Sequence, residues 1–142
     1  MAAGPVVRKI LETYKDKVRL VIKNYPYRYR DHARIAAEAS LAAADQGKYW
    51  EMHDILIKNS PKLDRTSLIG YAKELGLDAV KFTASIDGKK HDSEIERDLK
   101  LAEKLDLYNT PTYYINGRKV VGNRPFDYLK KIIDEELKSA KK

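Results

Sequence analysis

The sequence predicts an α/β fold in which a block of helices separates two segments that contain β-strands. Residues 17–24 include an apolar run, rich in β-branched side chains, that is typical of a buried strand. Near the C-terminus, two short runs of similar character flank Asn116-Gly117, a pair that strongly favours the two-residue turn of a β-hairpin. Between these segments, apolar residues recur at helical spacing.

The first predicted elements are a helix over residues 5–15 and the strand over residues 17–24. Pro5 suits the first turn of the helix, because the amide that proline lacks would be unpaired there in any case. Pro26 ends the strand, since proline cannot donate a hydrogen bond to a β-ladder. A helix that leads into a strand is half of a βαβ unit, and the first strand of such a unit is missing from the pattern.

The predicted helices of the central block cover residues 31–47, 48–59, 64–76, 78–88 and 93–105. Asp31, Asp64 and Asp78 precede three of them and belong to the residue types that cap helix N-termini. Ser93 and Glu96 have the spacing of a capping box, in which each side chain accepts a hydrogen bond from a free amide of the first turn.

The C-terminal segment is predicted to be a hairpin followed by a helix over residues 125–138. The two strands are Thr112–Ile115 and Arg118–Val121, which are rich in β-branched and aromatic residues. Pro111 removes a backbone donor where the first strand begins, so it must lie at a strand start or a sheet edge.

Composition limits the classes of protein to which the chain can belong. Its 142 residues fit one globular domain with one hydrophobic core, and we expect a single domain over residues 1–142. The absence of cysteine excludes disulfides, thiolate metal sites and a cysteine nucleophile.

No apolar run approaches the roughly 18 residues of a membrane span, and the first residues do not resemble a signal peptide. We therefore expect no membrane partner, and the sequence offers no localisation signal of its own.

The net charge of +7 raises the question of nucleic-acid binding. The 28 basic residues are interleaved with 21 acidic residues along the predicted helices, which is typical of an ion-paired surface. Only residues 138–142 and the region of Arg28, Arg30 and Arg34 are locally basic. The sequence thus disfavours nucleic acid as a partner, although a basic nucleic-acid-binding protein stays open as an alternative.

Several short motifs recur in this order in one known family. They are Tyr25-Pro26 with His32-Ala33, the run QGKYWEMHD at residues 46–54, Leu75-Gly76-Leu77-Asp78, and Thr110-Pro111-Thr112 with Asn116-Gly117 and Gly122. In these motifs and in its order of elements, nearly the whole chain resembles the DsbA-like thiol-disulfide oxidoreductases. The resemblance implies a thioredoxin-like fold with an inserted helical block at about residues 31–107.

The resemblance also implies a peptide site at Asn109, Thr110 and Pro111. In the family, the proline that corresponds to Pro111 is cis and faces the active-site dithiol, and the neighbouring backbone holds an extended substrate. The family often has glycine where this chain has Asn109 and Asp106, and of the two we expect Asn109 to adopt an unusual φ more readily. The family is typically extracytoplasmic.

The chain departs from the family at its N-terminus. The family's Cys-x-x-Cys begins the first helix, where amide donors and the helix dipole stabilise a thiolate. Here the sequence starts just inside that helix, so the family's first central strand and both cysteines would precede residue 1. The resemblance therefore implies a fold truncated at the N-terminus, with no catalytic residue, no cofactor and no redox activity in this chain.

In the family's sheet the missing strand lies between the segment at residues 17–24 and the first hairpin strand. Without it, backbone donors and acceptors on both sides lose their partners. An upstream fragment could supply the strand, the flanking strands could close on each other, or a second copy could exchange elements. We expect a homo-oligomer or a rearranged pairing.

Other clusters have ordinary structural explanations. His32, His53 and His91 each adjoin an aspartate, but their spacing matches no compact metal motif, so we predict no metal site. The tyrosines at 25, 27 and 29 could stack on bases or peptide, yet half-buried tyrosines are more common in structural roles. The sequence thus predicts a redox-inactive DsbA-like domain with residual affinity for an extended peptide. The main alternative is a structural module that self-associates through unpaired sheet edges.

Overall fold

The computed structural model describes residues 3–140 of the chain. The helices are α1 (Ala3–Thr13), α2 (Ala33–Ala44), α3 (Tyr49–Asn59), α4 (Arg65–Glu74), α5 (Ala79–Asp87), α6 (Asp92–Lys104) and α7 (Phe126–Ser139). The strands are β1 (Thr112–Ile115) and β2 (Arg118–Val121). This mixture confirms the predicted α/β class. Within residues 3–140, no helix has both the length and the apolar content needed to cross a membrane.

The chain divides into two compact units. The helical unit consists of residues 23–102, and the hairpin unit consists of residues 1–22 together with residues 103–142. The helical unit covers most of the predicted insert at about residues 31–107.

The helical unit has its own hydrophobic core. Phe82, Met52 and Leu68 are fully enclosed there, and α2 contributes the small side chains of Ala39 and Ala43. Because alanine lets two helices approach closely, α2 packs against both α3 and α5. The alanine-rich run of the sequence thus forms the centre of this unit.

The helix starts of this unit agree with prediction at two places. Asp64 accepts a hydrogen bond from the amide of Ser67, and Asp78 accepts hydrogen bonds from the amides of Val80 and Lys81. Each carboxylate satisfies amides that a helix leaves unpaired in its first turn. The two predicted caps are confirmed.

The predicted caps of α2 and α6 are wrong. The N-cap position of α2 is His32, at a φ of 64°, and no side chain caps this helix. Helix α6 begins at Asp92, which places Ser93 inside the helix. The Glu96 carboxylate accepts a hydrogen bond from Arg34 instead of closing a capping box. Contacts between distant parts of the chain override the local pattern here.

The hairpin has the predicted strands and turn. β1 and β2 pair antiparallel with Ile115 opposite Arg118 and Thr112 opposite Val121. Asn116 and Gly117 have φ values of 48° and 91°, and positive φ at both central residues is what a type I′ turn requires. Helix α7 packs on β1 and on α1, so the hairpin unit encloses a second core. Its buried residues are Ile10, Tyr14, Val120, Leu129, Ile132 and Ile133.

The predicted strand at residues 17–24 is not a strand in the structure. The sheet formed by the described residues contains β1 and β2 alone. The amides of Lys17 and Val18 donate to the carbonyl of Tyr14, and the chain then continues without regular secondary structure. A strand needs a ladder partner, and the local apolar pattern cannot provide one. Val21 and Ile22 are consequently 57% and 37% exposed.

Candidate functional site

The predicted peptide-site residues Asn109, Thr110 and Pro111 lie together in one turn that leads into β1. Asn109 and Thr110 are exposed, Pro111 is half-buried, and the Thr110–Pro111 peptide bond is cis. The hydroxyl of Thr112 donates to the Asn109 carbonyl at 2.6 Å, and the Gly122 amide donates to the Pro111 carbonyl at 2.8 Å. Both bonds hold the turn against the base of the hairpin.

The outer edge of β1 adjoins this turn. In an antiparallel pair, alternate residues direct their backbone groups toward the partner strand. In this register the backbone groups of Tyr113 and Ile115 point toward β2. Pro111, two residues before Tyr113, also directs its carbonyl that way, because it accepts the hydrogen bond from Gly122. The amide and carbonyl groups of Thr112 and Tyr114 must therefore point away from β2. Because the sheet of the described residues has two strands, this edge is open.

The segment that precedes the turn is also hydrogen-bonded to the hairpin. The ammonium group of Lys119 donates to the carbonyls of Leu105 at 3.1 Å and Asp106 at 2.8 Å. Asp106 has a φ of 51°, in the left-handed region that favours glycine, whereas Asn109 is not among the residues with positive φ. The expectation that Asn109 would take the unusual conformation more readily is thus corrected, since Asp106 takes it.

The chemistry that this turn can offer is limited to hydrogen bonding and shape. Asn109, Thr110 and Pro111 have no side chain that ionises in the physiological range. In the adjoining strand, burial raises the pKa of the Tyr113 hydroxyl above its ordinary value, so that group stays protonated at neutral pH. The turn can form hydrogen bonds with the backbone of a peptide, but it contains no side chain that would act as an acid, base or nucleophile.

The three histidines do not form a common site. The His91 ring lies 3.0 Å from the Asp45 carboxylate, His53 stacks on Tyr49, and His32 is exposed. In the part of the chain that the structure describes, no three histidine, aspartate or glutamate side chains are arranged to hold a metal ion.

Sequence reasoning did not show which backbone groups of β1 point outward, nor that the Gly122 amide donates to the Pro111 carbonyl. The Asn116-Gly117 signal could have identified both, because a two-residue turn fixes the register of the hairpin. The register then decides which backbone groups of Thr112 and Tyr114 point outward.

Comparisons with known proteins agree with this fold. The family model described as thioredoxin matches residues 2–135. The chain is 29% identical to a thioredoxin-like oxidoreductase of known structure from Silicibacter pomeroyi DSS-3, with a TM-score of 0.85, and the match covers 96% of this chain and 78% of that one. It is 29% identical to the probable disulfide bond formation protein D of Bacillus anthracis, over 94% of this chain and 65% of that protein.

A different kind of protein contains a similar segment. The chain is 39% identical to part of the Na(+)/H(+) antiporter NhaA of Herminiimonas arsenicoxydans, a match that covers 78% of this chain and 17% of the antiporter. The chain therefore spans about a sixth of the antiporter's length and about two thirds of the length of the Bacillus protein.

Proposed function

Because this chain belongs to the thioredoxin family, among the DsbA-like thiol-disulfide oxidoreductases, we propose that it holds extended peptides and performs no disulfide exchange itself. Exchange begins with the attack of a thiolate on a disulfide, and the chain has no cysteine to supply one. The part of the family's chemistry that its residues can still perform is the positioning of a peptide backbone.

The observation that supports this proposal is the fixed turn at Thr110 and Pro111 beside the open edge of β1. An extended peptide binds such an edge by adding a strand, so that main-chain hydrogen bonds provide the affinity. The outward groups of Thr112 and Tyr114 supply two sets of donors and acceptors. Because hydrogen bonds already fix the turn in the unbound chain, less conformational entropy is lost when a peptide binds.

Fluorescence anisotropy with a labelled, cysteine-free, unstructured peptide tests the proposal. We expect saturable binding that Pro111→Ala weakens by about two- to fivefold, since proline's fixed φ limits the freedom of the unbound turn by roughly 0.4–1 kcal/mol. Thr110→Gly should weaken binding to a similar extent, because it also loosens the unbound turn.

Pro125→Ala is the matched control. Pro125 occupies the N-cap position of α7, where only its carbonyl accepts hydrogen bonds, so alanine can replace it without loss of those bonds. This variant should bind the peptide as the unmodified chain does. Equal affinity in all variants, or no saturable binding, would exclude the turn as a peptide site. A parallel assay with a reduced dithiol peptide should yield no disulfide product.

A second candidate function is self-association through unpaired backbone, and a specific observation favours it. Residues 18–22 are irregular and expose Val21 and Ile22, while β1 has an open edge in the same unit. Exposed strand edges beside apolar side chains are templates for pairing with another chain. A second copy of this chain could occupy these positions.

Light scattering coupled to size-exclusion chromatography over a wide concentration range tests this second function. We expect the mass to rise with concentration, and Val21→Lys to reduce the rise, because a charge in this exposed apolar segment disfavours its pairing with another chain. Val80→Lys is the control, since Val80 is 81% exposed on α5 in the other unit. A constant monomer mass would rule out self-association.

A further inference from the structure

The helical unit contains a concave surface, and none of the residues of the proposed peptide site lines it. Tyr27, Arg28, Arg30, Arg34 and Glu96 are among the residues that line this open cavity of ≈ 470 Å³, which we term the arginine–tyrosine pocket. We propose that the arginine–tyrosine pocket binds a phosphate monoester attached to an aromatic ring, the chemistry of a mononucleotide. This ligand differs from the extended peptide proposed for the hairpin unit, and the two proposals are independent.

The segment that leads into the pocket is fixed by a buried carboxylate. Asp98 on α6 is 4% exposed, and it accepts hydrogen bonds from the Asn24 amide at 2.7 Å and from Lys23 Nζ at 2.9 Å. Hydrogen bonds to a charged acceptor are stronger than neutral ones. They hold the chain to α6 just before the pocket residues begin.

Two turns and an ion-pair network fix the pocket itself. The Arg30 amide donates to the Tyr27 carbonyl at 3.1 Å, and the Ala33 amide donates to the Arg30 carbonyl at 3.3 Å. The Arg34 guanidinium donates to Glu96 at 2.6 Å and also to Asp92. The backbone that carries the arginines is therefore ordered before any ligand arrives, which lowers the entropic cost of binding.

The charges of the pocket are only partly compensated. The carboxylates of Asp92 and Glu96 neutralise Arg34. Arg28 and Arg30 are exposed and form no ion pair with any residue in the range 3–140. Because Asp92 and Glu96 carry one negative charge more than Arg34 offsets, Arg28 and Arg30 leave a net charge of +1 beside the cavity. Guanidinium groups present planar forks of donors that match the oxygens of a phosphate, so a phosphate group is the anion that suits them.

One aromatic ring, that of Tyr27, lines the pocket, and two further tyrosines pack against it. The Tyr27 ring centroid lies 5.3 Å from that of Tyr25, edge to face, and 5.1 Å from that of Tyr29 in a tilted arrangement. Tyr27 is half-buried and lines the cavity, so part of this residue remains accessible to another ring. Aromatic side chains bind bases by stacking on them.

The size of the cavity favours a ligand larger than a bare anion. Its ≈ 470 Å³ lies within the roughly 300–1,000 Å³ that is usual for small-molecule sites. An inorganic phosphate could engage the arginines but would leave Tyr27 unused. A ring joined to a phosphate can contact both, and this combination identifies the class of ligand.

Calorimetric titration of the full chain with adenosine 5′-monophosphate tests the proposal. We expect saturable binding at least about tenfold tighter than that of adenosine or of inorganic phosphate, since each of these lacks one of the two contacts. The double variant Arg28→Gln/Arg30→Gln should weaken binding about tenfold or more and should reduce its dependence on salt. Tyr27→Leu should lower the affinity for the nucleotide but not for inorganic phosphate.

Arg97→Gln is the matched control, because Arg97 is also exposed and forms no ion pair in the described part of the chain. It should bind the nucleotide within about twofold of the unmodified chain. Unchanged melting temperatures would show that the variants are folded. The proposal is overturned if adenosine and the nucleotide bind equally, if Arg97→Gln matches the double variant, or if the nucleotide does not bind. It is also overturned if only an RNA oligomer binds, which would instead indicate a nucleic-acid surface.

Discussion

The helical unit and the hairpin unit satisfy their backbone hydrogen bonds in different ways. The helices of residues 23–102 pair their amides and carbonyls within each helix, and they enclose a core around Phe82. The hairpin unit depends on pairing between strands, and it leaves one edge of β1 open and residues 18–22 irregular. A helix can therefore satisfy its backbone hydrogen bonds by itself, whereas a strand satisfies them only when neighbouring strands are present.

The largest expected effect tests whether the helical core is separate from the rest. Phe82→Ala should lower the free energy of unfolding by about 3–5 kcal/mol, because it removes a fully buried ring and leaves a cavity. Hydrogen exchange followed by mass spectrometry should show the loss of protection mainly within residues 23–102.

Val80→Ala on the same helix is the control, since Val80 is 81% exposed, and it should change stability by less than about 0.5 kcal/mol. An equal loss of protection in both units after Phe82→Ala would show that the two units unfold together, and that the helical core is not separate.

The next effect concerns how the helical unit fixes its one long irregular segment. Asp98→Asn should cost about 1.5–3 kcal/mol in a urea titration, because the buried carboxylate accepts hydrogen bonds from Lys23 and Asn24. Lys23→Met should cost less than about 1 kcal/mol, since the lysine side chain is 56% exposed and its ion pair is screened by water. If Lys23→Met is as costly as Asp98→Asn, the backbone of Asn24 is not the important partner.

A smaller effect is expected for the corresponding polar contact of the hairpin unit. The Tyr14 hydroxyl donates to Asp134 on α7 at 2.5 Å and links the end of α1 to that helix. Tyr14→Phe should cost about 0.5–1.5 kcal/mol, which is the usual net value of one hydrogen bond. Tyr128→Phe, at a residue that is 48% exposed on α7, should be nearly neutral when measured in the same urea titration. A neutral Tyr14→Phe would mean that water replaces this contact at no cost.

The smallest effects are two pH dependences with opposite signs. Burial raises the pKa of the Glu38 carboxyl in the helical unit, whereas the hydrogen bond from Lys130 lowers the pKa of Asp134 in the hairpin unit. The Glu38 contribution to stability is present below the ordinary value of 4.5 and is lost as the pH rises through its raised pKa. The Asp134 contribution is present above 3.8 and is lost as the pH falls through its lowered pKa.

Urea midpoints measured between about pH 2 and pH 8 separate these two contributions. Glu38→Gln should flatten the profile above pH 4.5, and Asp134→Asn should flatten it below pH 3.8. If both substitutions change the same part of the profile, the two carboxyls do not have pKa shifts of opposite direction.

Local patterns were sufficient for most of the fold. The aspartates that cap α4 and α5 act within one turn of the residues they bind, and the Asn116-Gly117 turn depends on its own two φ values. The fold class and the family follow from such local features together with the recognised motifs, and the comparisons confirm both.

The remainder of the fold depends on contacts that a local pattern cannot contain. Ser93 looked like a cap, but Glu38, more than fifty positions earlier, accepts a hydrogen bond from the His91 amide at the start of α6. The apolar run at residues 17–24 has the composition of a strand, yet composition cannot supply a partner strand.

For the candidate site, the sequence located the turn but not the direction of its neighbouring backbone groups. Pro111 and the family motif identified Asn109 and Thr110. The outward groups of Thr112 and Tyr114 became evident only with the strand register. The single domain, the homo-oligomer and the peptide contacts stay predictions.

The length of the Asn116-Gly117 turn has a consequence for the whole hairpin. One residue inserted there would move β2 by one position, and every side chain of β2 would change faces, because side chains alternate along a strand. Val120 would then leave the core, and the charged Lys119 would take its place. Two exposed turn residues therefore decide which face of the hairpin is apolar and which face is hydrated.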